Sequence, residues 1–172
     1  MAKRKPMRAD ELMRELESDP AWVAKQKKRE LLQAERRDVH DADQKQLVGE
    51  INAAGYQINC VWDLVNNTAH EVLERNFTGE YPVAYPILIK HLTLDHLPAI
   101  REGIIRALTV SDGGNEVAWA LLGEFERETN ADLKWVISNA LRTVMNRKAR
   151  KQYPAVDEYY SNHGRRSDAQ DA

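Results

Sequence analysis

Apolar residues in the second half of the chain recur every fourth position. Ala84, Leu88 and Leu92 form one such row, and Val117, Leu121 and Phe125 form another. This i, i+4, i+8 spacing predicts amphipathic helices over about 82–94 and 115–128. Each row is followed by a short polar turn, "TLDHLP" or "RETNAD". A second apolar row comes next: Ile100, Ile104, Ala107 and Leu108, then Leu133, Ile137, Ala140 and Leu141. These predict helices over about 98–109 and 131–146. Pro98 suits a first helical turn, where no N–H is needed.

Further towards the N-terminus the pattern thins. Leu12, Met13 and Leu16 predict a short helix from about Ala9 that stops at "ESDP". Ser18 or Asp19 can cap the next helix, with Pro20 at its first position. That helix, expected over 20–38, carries Trp22, Val23, Leu31 and Leu32 around the polar run "AKQKKRE", too thin a stripe to bury much area. "VHDAD" is read as its end. Asp41 or Asp43 then caps a helix through Ile51 and Ala54, closed by Gly55. "VWDLV" predicts a short apolar helix. "TAHEVLERN" predicts another, with Thr68 and Glu71 at capping-box spacing and Val72 and Leu73 buried. "YPAVDEYY" predicts a C-terminal capping helix from Pro154, with Val156, Tyr159 and Tyr160 on its inner face. Residues 1–8 and 161–172 are expected to be disordered.

The two helix pairs are copies of each other at an offset of 33 residues. Leu88 falls on Leu121, Ile89 on Leu122, Leu92 on Phe125, Ile100 on Leu133, Ile104 on Ile137, and Ala107-Leu108 on Ala140-Leu141. Asp95 with Glu128 and Arg101 with Lys134 match in charge. The first copy, with Leu88, Leu92, Asp95, Pro98, Ile100-Arg101 and Ala107-Leu108, closely resembles a HEAT repeat. The second departs from that pattern at Glu128 and Lys134. The resemblance covers about residues 82–146. Val61-Trp62-Asp63-Leu64-Val65-Asn66, after Asn59-Cys60, also looks like the segment preceding a HEAT pair in bacterial HEAT-repeat proteins, a likeness that implies no activity. The resemblance implies an all-α fold: a short right-handed α-solenoid of HEAT-like (armadillo-like) hairpins. With its flanking helices the repeat domain is expected over 41–160, after a basic helical N-terminal arm over 1–40. Two hairpins leave an apolar face at each end, so flanking helices must cover them or the faces drive homodimerisation.

Composition narrows the class. The chain has 172 residues, of which 42% are apolar and 30% charged, with only 8 Gly and 6 Pro. One cysteine, Cys60, allows no internal disulfide and no all-cysteine zinc site, and is read as a buried, inert thiol. No secretory signal and no run of about 20 apolar residues is visible, so a soluble cytoplasmic protein is expected, away from membranes. The net charge of −2 divides unevenly. Residues 1–37 hold 11 Lys or Arg against 7 Asp or Glu, a net of +4, and the remainder carries −6. An acidic body disfavours wrapping nucleic acid.

Chemistry-bearing positions are few. Asp95, Arg101, Glu128 and Lys134 repeat at the same offset, and the resemblance implies a structural ladder between repeats. His91 and Asp95 stand at i, i+4, a workable ligand spacing, but His96 falls off that face. A solvent-facing His91 and no metal or cofactor are expected. Cys60 has no neighbouring His, "DGGNE" lacks the spacing of a phosphate cradle, and no enzyme activity is expected. Asn115 reads as a helix cap, and Trp62 and Trp119 as core.

The positions opposite the core stripe on the second helices are Glu102, Arg106, Thr109, Trp135, Asn139 and Arg142. In a helical solenoid such positions line the concave face, and an aromatic beside arginines suits a protein partner. The competing reading packs Trp135 under a neighbouring helix. A partner protein is therefore the leading expectation, for a small adaptor, inhibitor or immunity-type protein. Phosphate contact through Lys25, Lys27, Lys28, Arg29, Arg36 and Arg37 of the arm is the alternative. A DNA-cradling glycosylase of HEAT-like build ranks third.

Overall fold

The computed structural model describes residues 8–163. Among them the regular structure is helical, with no strand. The boundary between two compact units falls between Val39 and His40. The first unit holds α1 (Ala9–Ser18) and the start of α2 (Pro20–Ala53). Asp19 caps α2 by accepting the Ala21 N–H at 2.9 Å, ahead of Pro20. No residue of α1 is buried, and Val23, Leu31 and Leu32 of α2 are exposed.

The second unit begins within α2 and adds α3 (Trp62–Val65), α4 (Tyr85–Leu92, after a 3-10 turn at Pro82–Ala84), α5 (Pro98–Ala107) and α6 (Gly114–Arg127). It ends with α7 (Ala131–Val144), α8 (Arg147–Arg150) and α9 (Pro154–His163). α4 packs on α5 and α6 on α7, giving two hairpins. They stack with α4 on α6 and α5 on α7. α3 covers the free side of α5 and α9 the free side of α7. Leu88, Ile104, Leu108, Leu121, Ile137 and Leu141, all from the predicted rows, lie fully buried at the centre. Ala107 and Ala140 are also fully buried, where a larger side chain would hold the helices apart.

Local chemistry explains the entries and exits. Gly55 adopts φ 102°, a left-handed conformation that ends α2 without a Cβ penalty. Asn52 then ties the chain to Ile58, accepting its N–H at 2.9 Å and donating to its carbonyl at 3.0 Å. Gln44 reaches across to accept the Val61 N–H at 3.0 Å. Asn130 caps α7 by accepting from the Asp132 and Leu133 amides. A Cβ on Gly103 would come 2.5 Å from Val61 Cγ1, so glycine is what lets α3 lie close on α5.

Several expectations are corrected. α2 does not end at "VHDAD": one helix runs through it to Ala53. The segment holds no Gly or Pro, and its carboxylates are engaged elsewhere. Asp41 accepts from the Gln44 side chain, and Asp43 from His96 and the Leu97 amide. "TAHEVLERN" is not a helix. His70 Nδ1 accepts the Val72 and Leu73 amides instead, and Val72 is 84% exposed. Nine residues with two apolar side chains lack a surface to bury, and an isolated helix that short is marginal. The segment is part of a loop closed by the Asn67 amide donating to the Gly79 carbonyl at 2.7 Å. Trp119 is 62% exposed, not core. Asn115 lies inside the first turn of α6 and does not cap it; Gly113 holds that position. Ser161–His163 are the last turn of α9, held by Ser161 on the Asp157 carbonyl and His163 on the Tyr159 carbonyl. The rest of that tail, and residues 1–7, lie outside the described residues. No helix among the described residues is long and apolar enough to cross a membrane.

Candidate interaction surface

The row of second helices, α3, α5, α7 and α9, turns one face away from the hairpin core. On α5 that face carries Glu102 and Arg106, paired one helical turn apart at 2.7 Å and each about a third exposed. Thr109 spends its hydroxyl on the Ile105 carbonyl. On α7 the corresponding residues are Trp135, Asn139 and Arg142, all half-buried. Tyr160 of α9 lies flat on Trp135, with ring centres 5.6 Å apart and planes at 14°. Arg142 covers the same ring at 4.0 Å from its centre. Tyr160 thus sits within a Trp–Tyr–Arg stack that locks α9 onto α7. Asp157 adds charge to this contact, 3.3 Å from Arg150 and 3.7 Å from Arg142. The buried Trp135 Nε1 has no acceptor.

The proposed ladder is rearranged. Asp95 is exposed and forms no hydrogen bond or ion pair among the described residues. Arg101 does not turn back to it. Its Nη2 donates forward to Glu124 at 2.9 Å and Glu128 at 3.0 Å, both carboxylates nearly buried. Arg127 also binds Glu124. The other Glu128 oxygen accepts the Thr129 and Asn130 amides, and Lys134 donates to the Glu128 carbonyl. The Asp95 register position therefore works in the second copy alone. In the first, Asp43 of α2 serves the turn.

His91 is fully buried, not solvent-facing. Its Nδ1 lies 3.0 Å from His96 Nε2, and its Nε2 lies 3.3 Å from Glu50. His96 Nδ1 meets Asp43 at 2.9 Å. Lys90 and Gln46 both bind Glu50, and these bonds hold its carboxyl down at about 2. Burial pushes the His91 imidazole below its usual range, with Glu50 pulling the other way. Register could have found this cluster: His91 falls on Glu124 at the 33-residue offset. Both are buried polar residues, each paired back to an earlier helix, through Glu50 of α2 and Arg101 of α5 respectively. Burial also raises the Cys60 thiol, which suits no nucleophile.

Among known proteins, no family model, curated protein or solved structure matches this chain. The site is therefore argued from its residues alone. In the first unit Lys25, Lys27, Lys28, Arg29, Arg36 and Arg37 are all exposed on α2. A further feature lies at the junction of α6, α7 and α8. A cavity of about 380 Å³ opens there beside Trp119 and Tyr153. The basic run of α8 was not singled out by the apolar pattern, because it carries no apolar residue larger than Ala149.

Proposed function

We propose that the protein is a protein-interaction module, a short right-handed α-solenoid of HEAT-like hairpins that binds a partner protein on the outward face of its second helices. That face would be the concave one in such a solenoid. The observation that carries this reading is the Trp135–Tyr160–Arg142 stack beside the Glu102–Arg106 pair. Aromatic and arginine side chains fixed in advance on rigid helices lose little entropy on binding. Arg106, Arg142 and the edge of Trp135 present mixed polar and apolar chemistry to a partner, and no enzymatic step is needed.

The test is a comparative capture experiment from nuclease-treated lysate. Its bait variant is Glu102→Arg/Arg106→Glu, which keeps the helical ion pair but exchanges its charges. A partner retained by the wild type and lost by the exchanged variant supports the reading. Equal capture by both removes the α5 part of the surface. The alternative, phosphate contact through the arm, is favoured only by the exposure of its six basic side chains. It predicts salt-sensitive binding that disappears when residues 1–37 are deleted.

A further inference from the structure

The cavity beside Trp119 is a concave feature of the second unit that the preceding reading leaves unused. Its floor is apolar, built from Ala118 and Leu122 of α6, Val144 and Met145 at the end of α7, and Ala149 of α8. Trp119 stands at its edge, 62% exposed, with Tyr153 meeting it edge-on at 6.4 Å between ring centres. An indole braced on one side and open on the other is a stacking platform. Three polar side chains on the wall, Ser111, Asn115 and Gln152, make no hydrogen bond among the described residues. Asn146 accepts the Ala149 N–H at its Oδ1, and its NH₂ makes no hydrogen bond among the described residues. Carboxamides carry both donors and acceptors, as the edges of a nucleobase do.

Charge next to the cavity has one sign on the α8 side. Residues 142–151 hold five Lys or Arg and no Asp or Glu, within a body that is otherwise acidic. Arg142 and Arg150 turn to Asp157. Arg147, Lys148 and Lys151 are exposed and form no ion pair among the described residues. They alternate in sequence with the lining residues Asn146, Ala149 and Gln152. On the α6 side the countervailing charges are Asp112 and Glu116. Asp112 is engaged by the Tyr85 hydroxyl at 3.0 and 3.1 Å.

We propose that this cavity holds one base of a single-stranded nucleic acid, stacked on Trp119, with the adjoining phosphates on Arg147, Lys148 and Lys151. A planar heterocycle uses the apolar floor, the open indole face and the unspent amides together. Asn115, Asn146 and Gln152 are exposed at the cavity rim, so an apolar peptide anchor would use the floor and leave these amides to water. A duplex cannot offer a base to the cavity without unpairing it, so single strands are preferred.

The experiment is fluorescence anisotropy of a labelled single-stranded oligonucleotide against the full chain, from about 50 mM to about 200 mM salt. Wild type should bind more weakly as salt rises, and should prefer the single strand to its duplex. Trp119→Ala should weaken binding about tenfold, with Trp119→Phe recovering part of the loss. Lys148→Glu/Lys151→Glu should weaken it more and flatten the salt dependence. Lys25→Glu/Lys27→Glu/Lys28→Glu should leave binding within about twofold, which separates this site from the arm. The Glu102→Arg/Arg106→Glu variant should bind the oligonucleotide normally, so failure of this site and failure of the protein-binding face are read separately. Absence of binding by the wild type overturns the proposal. So does wild-type affinity in Trp119→Ala, or tighter binding of a labelled Glu-rich peptide than of the oligonucleotide at the same salt.

Discussion

His91 Nδ1 lies 3.0 Å from His96 Nε2, and the outer nitrogen of each ring faces a carboxylate, Glu50 and Asp43. Burial is the largest influence on His91 and disfavours a proton on it; Glu50, facing its Nε2, pulls the other way, and the neighbouring Lys90 ammonium disfavours a second charge. A depressed imidazole favours the native state while it stays neutral. The unfolded chain takes up this proton near the ordinary 6.5, and the native chain does so only at lower pH.

Stability should therefore fall as pH drops below about 6.5, and His91→Gln should show a smaller fall over the same range. Urea unfolding midpoints across that range check it, and parallel curves for the two proteins would refute the role of His91. Glu50 adds a lower limb. Its carboxyl is held at about 2, chiefly by Lys90, so its contribution is present above 4.5 and lost as pH falls from there towards 2. Glu50→Gln should flatten that limb alone.

Arg101 joins the two hairpins through Glu124 and Glu128, whose side chains are 6% and 9% exposed. Arg101→Ala takes the shared cation from both carboxylates, leaving Glu124 the mostly exposed Arg127 and Glu128 the Thr129 and Asn130 amides. Breaking one side of such a pair should cost about 3 kcal/mol. Removing the Arg101 and Glu124 charges together, as Arg101→Met/Glu124→Leu, should recover part of that loss, with Glu128 still held by the Thr129 and Asn130 amides. Chemical denaturation of the two variants distinguishes them. Equal destabilisation would mean that an unpaired Glu124 charge is not what destabilises Arg101→Ala.

Gly103 should not accept even one methyl group. Alanine in a helix interior ordinarily gains about 1 kcal/mol over glycine. Here the new Cβ meets Val61 Cγ1 at 2.5 Å and Trp62 Nε1 at 3.2 Å, and Val61 is fully buried. Overpacking of this kind costs about 1 to 3 kcal/mol, so Gly103→Ala should be destabilising on balance. Val61→Ala in the same chain should relieve part of the effect, read as non-additivity of the two melting shifts.

The hairpins were legible because both copies repeat one apolar stripe, and burial of that stripe decides the fold locally. Trp119 was misread as core from its residue type, although its position carried the opposite signal. It stands two residues from Val117 and two from Leu121, about 200° round the helix from the buried row. Position outweighed hydrophobicity. Both ends of α2 were legible, from Asp19-Pro20 and from Gly55, but its continuity through "VHDAD" was not. Asp41 and Asp43 look like caps in isolation, and only the fold reveals that Asp43 is needed by His96 and Leu97, more than 50 residues away. The same holds for Asp95. Its motif position implied a ladder, but the repeat before it is α2, whose Asp43 already serves the turn. Tyr160 entered the reading as part of a cap; its place between Trp135 and Arg142 depends on how α9 lies on α7.

Two tryptophans therefore separate packing from recognition. Tyr160→Ala removes the stack on Trp135 and the Arg142 contact together. The loss should be about 2 kcal/mol, from aromatic pairing and cation–π attraction. It should appear first as faster hydrogen exchange along α9, since Val156 is the one buried residue of that helix. Trp119→Ala should shift global stability by no more than about 0.5 kcal/mol, because that ring is mostly in water and touches one aromatic edge. Unchanged exchange in α9 after Tyr160→Ala would show that Val156 and Tyr159 hold the cap unaided. The Trp135 ridge would then be free to meet a partner. A large loss in Trp119→Ala would place that indole among the structural aromatics and take the platform away from the cavity beside it.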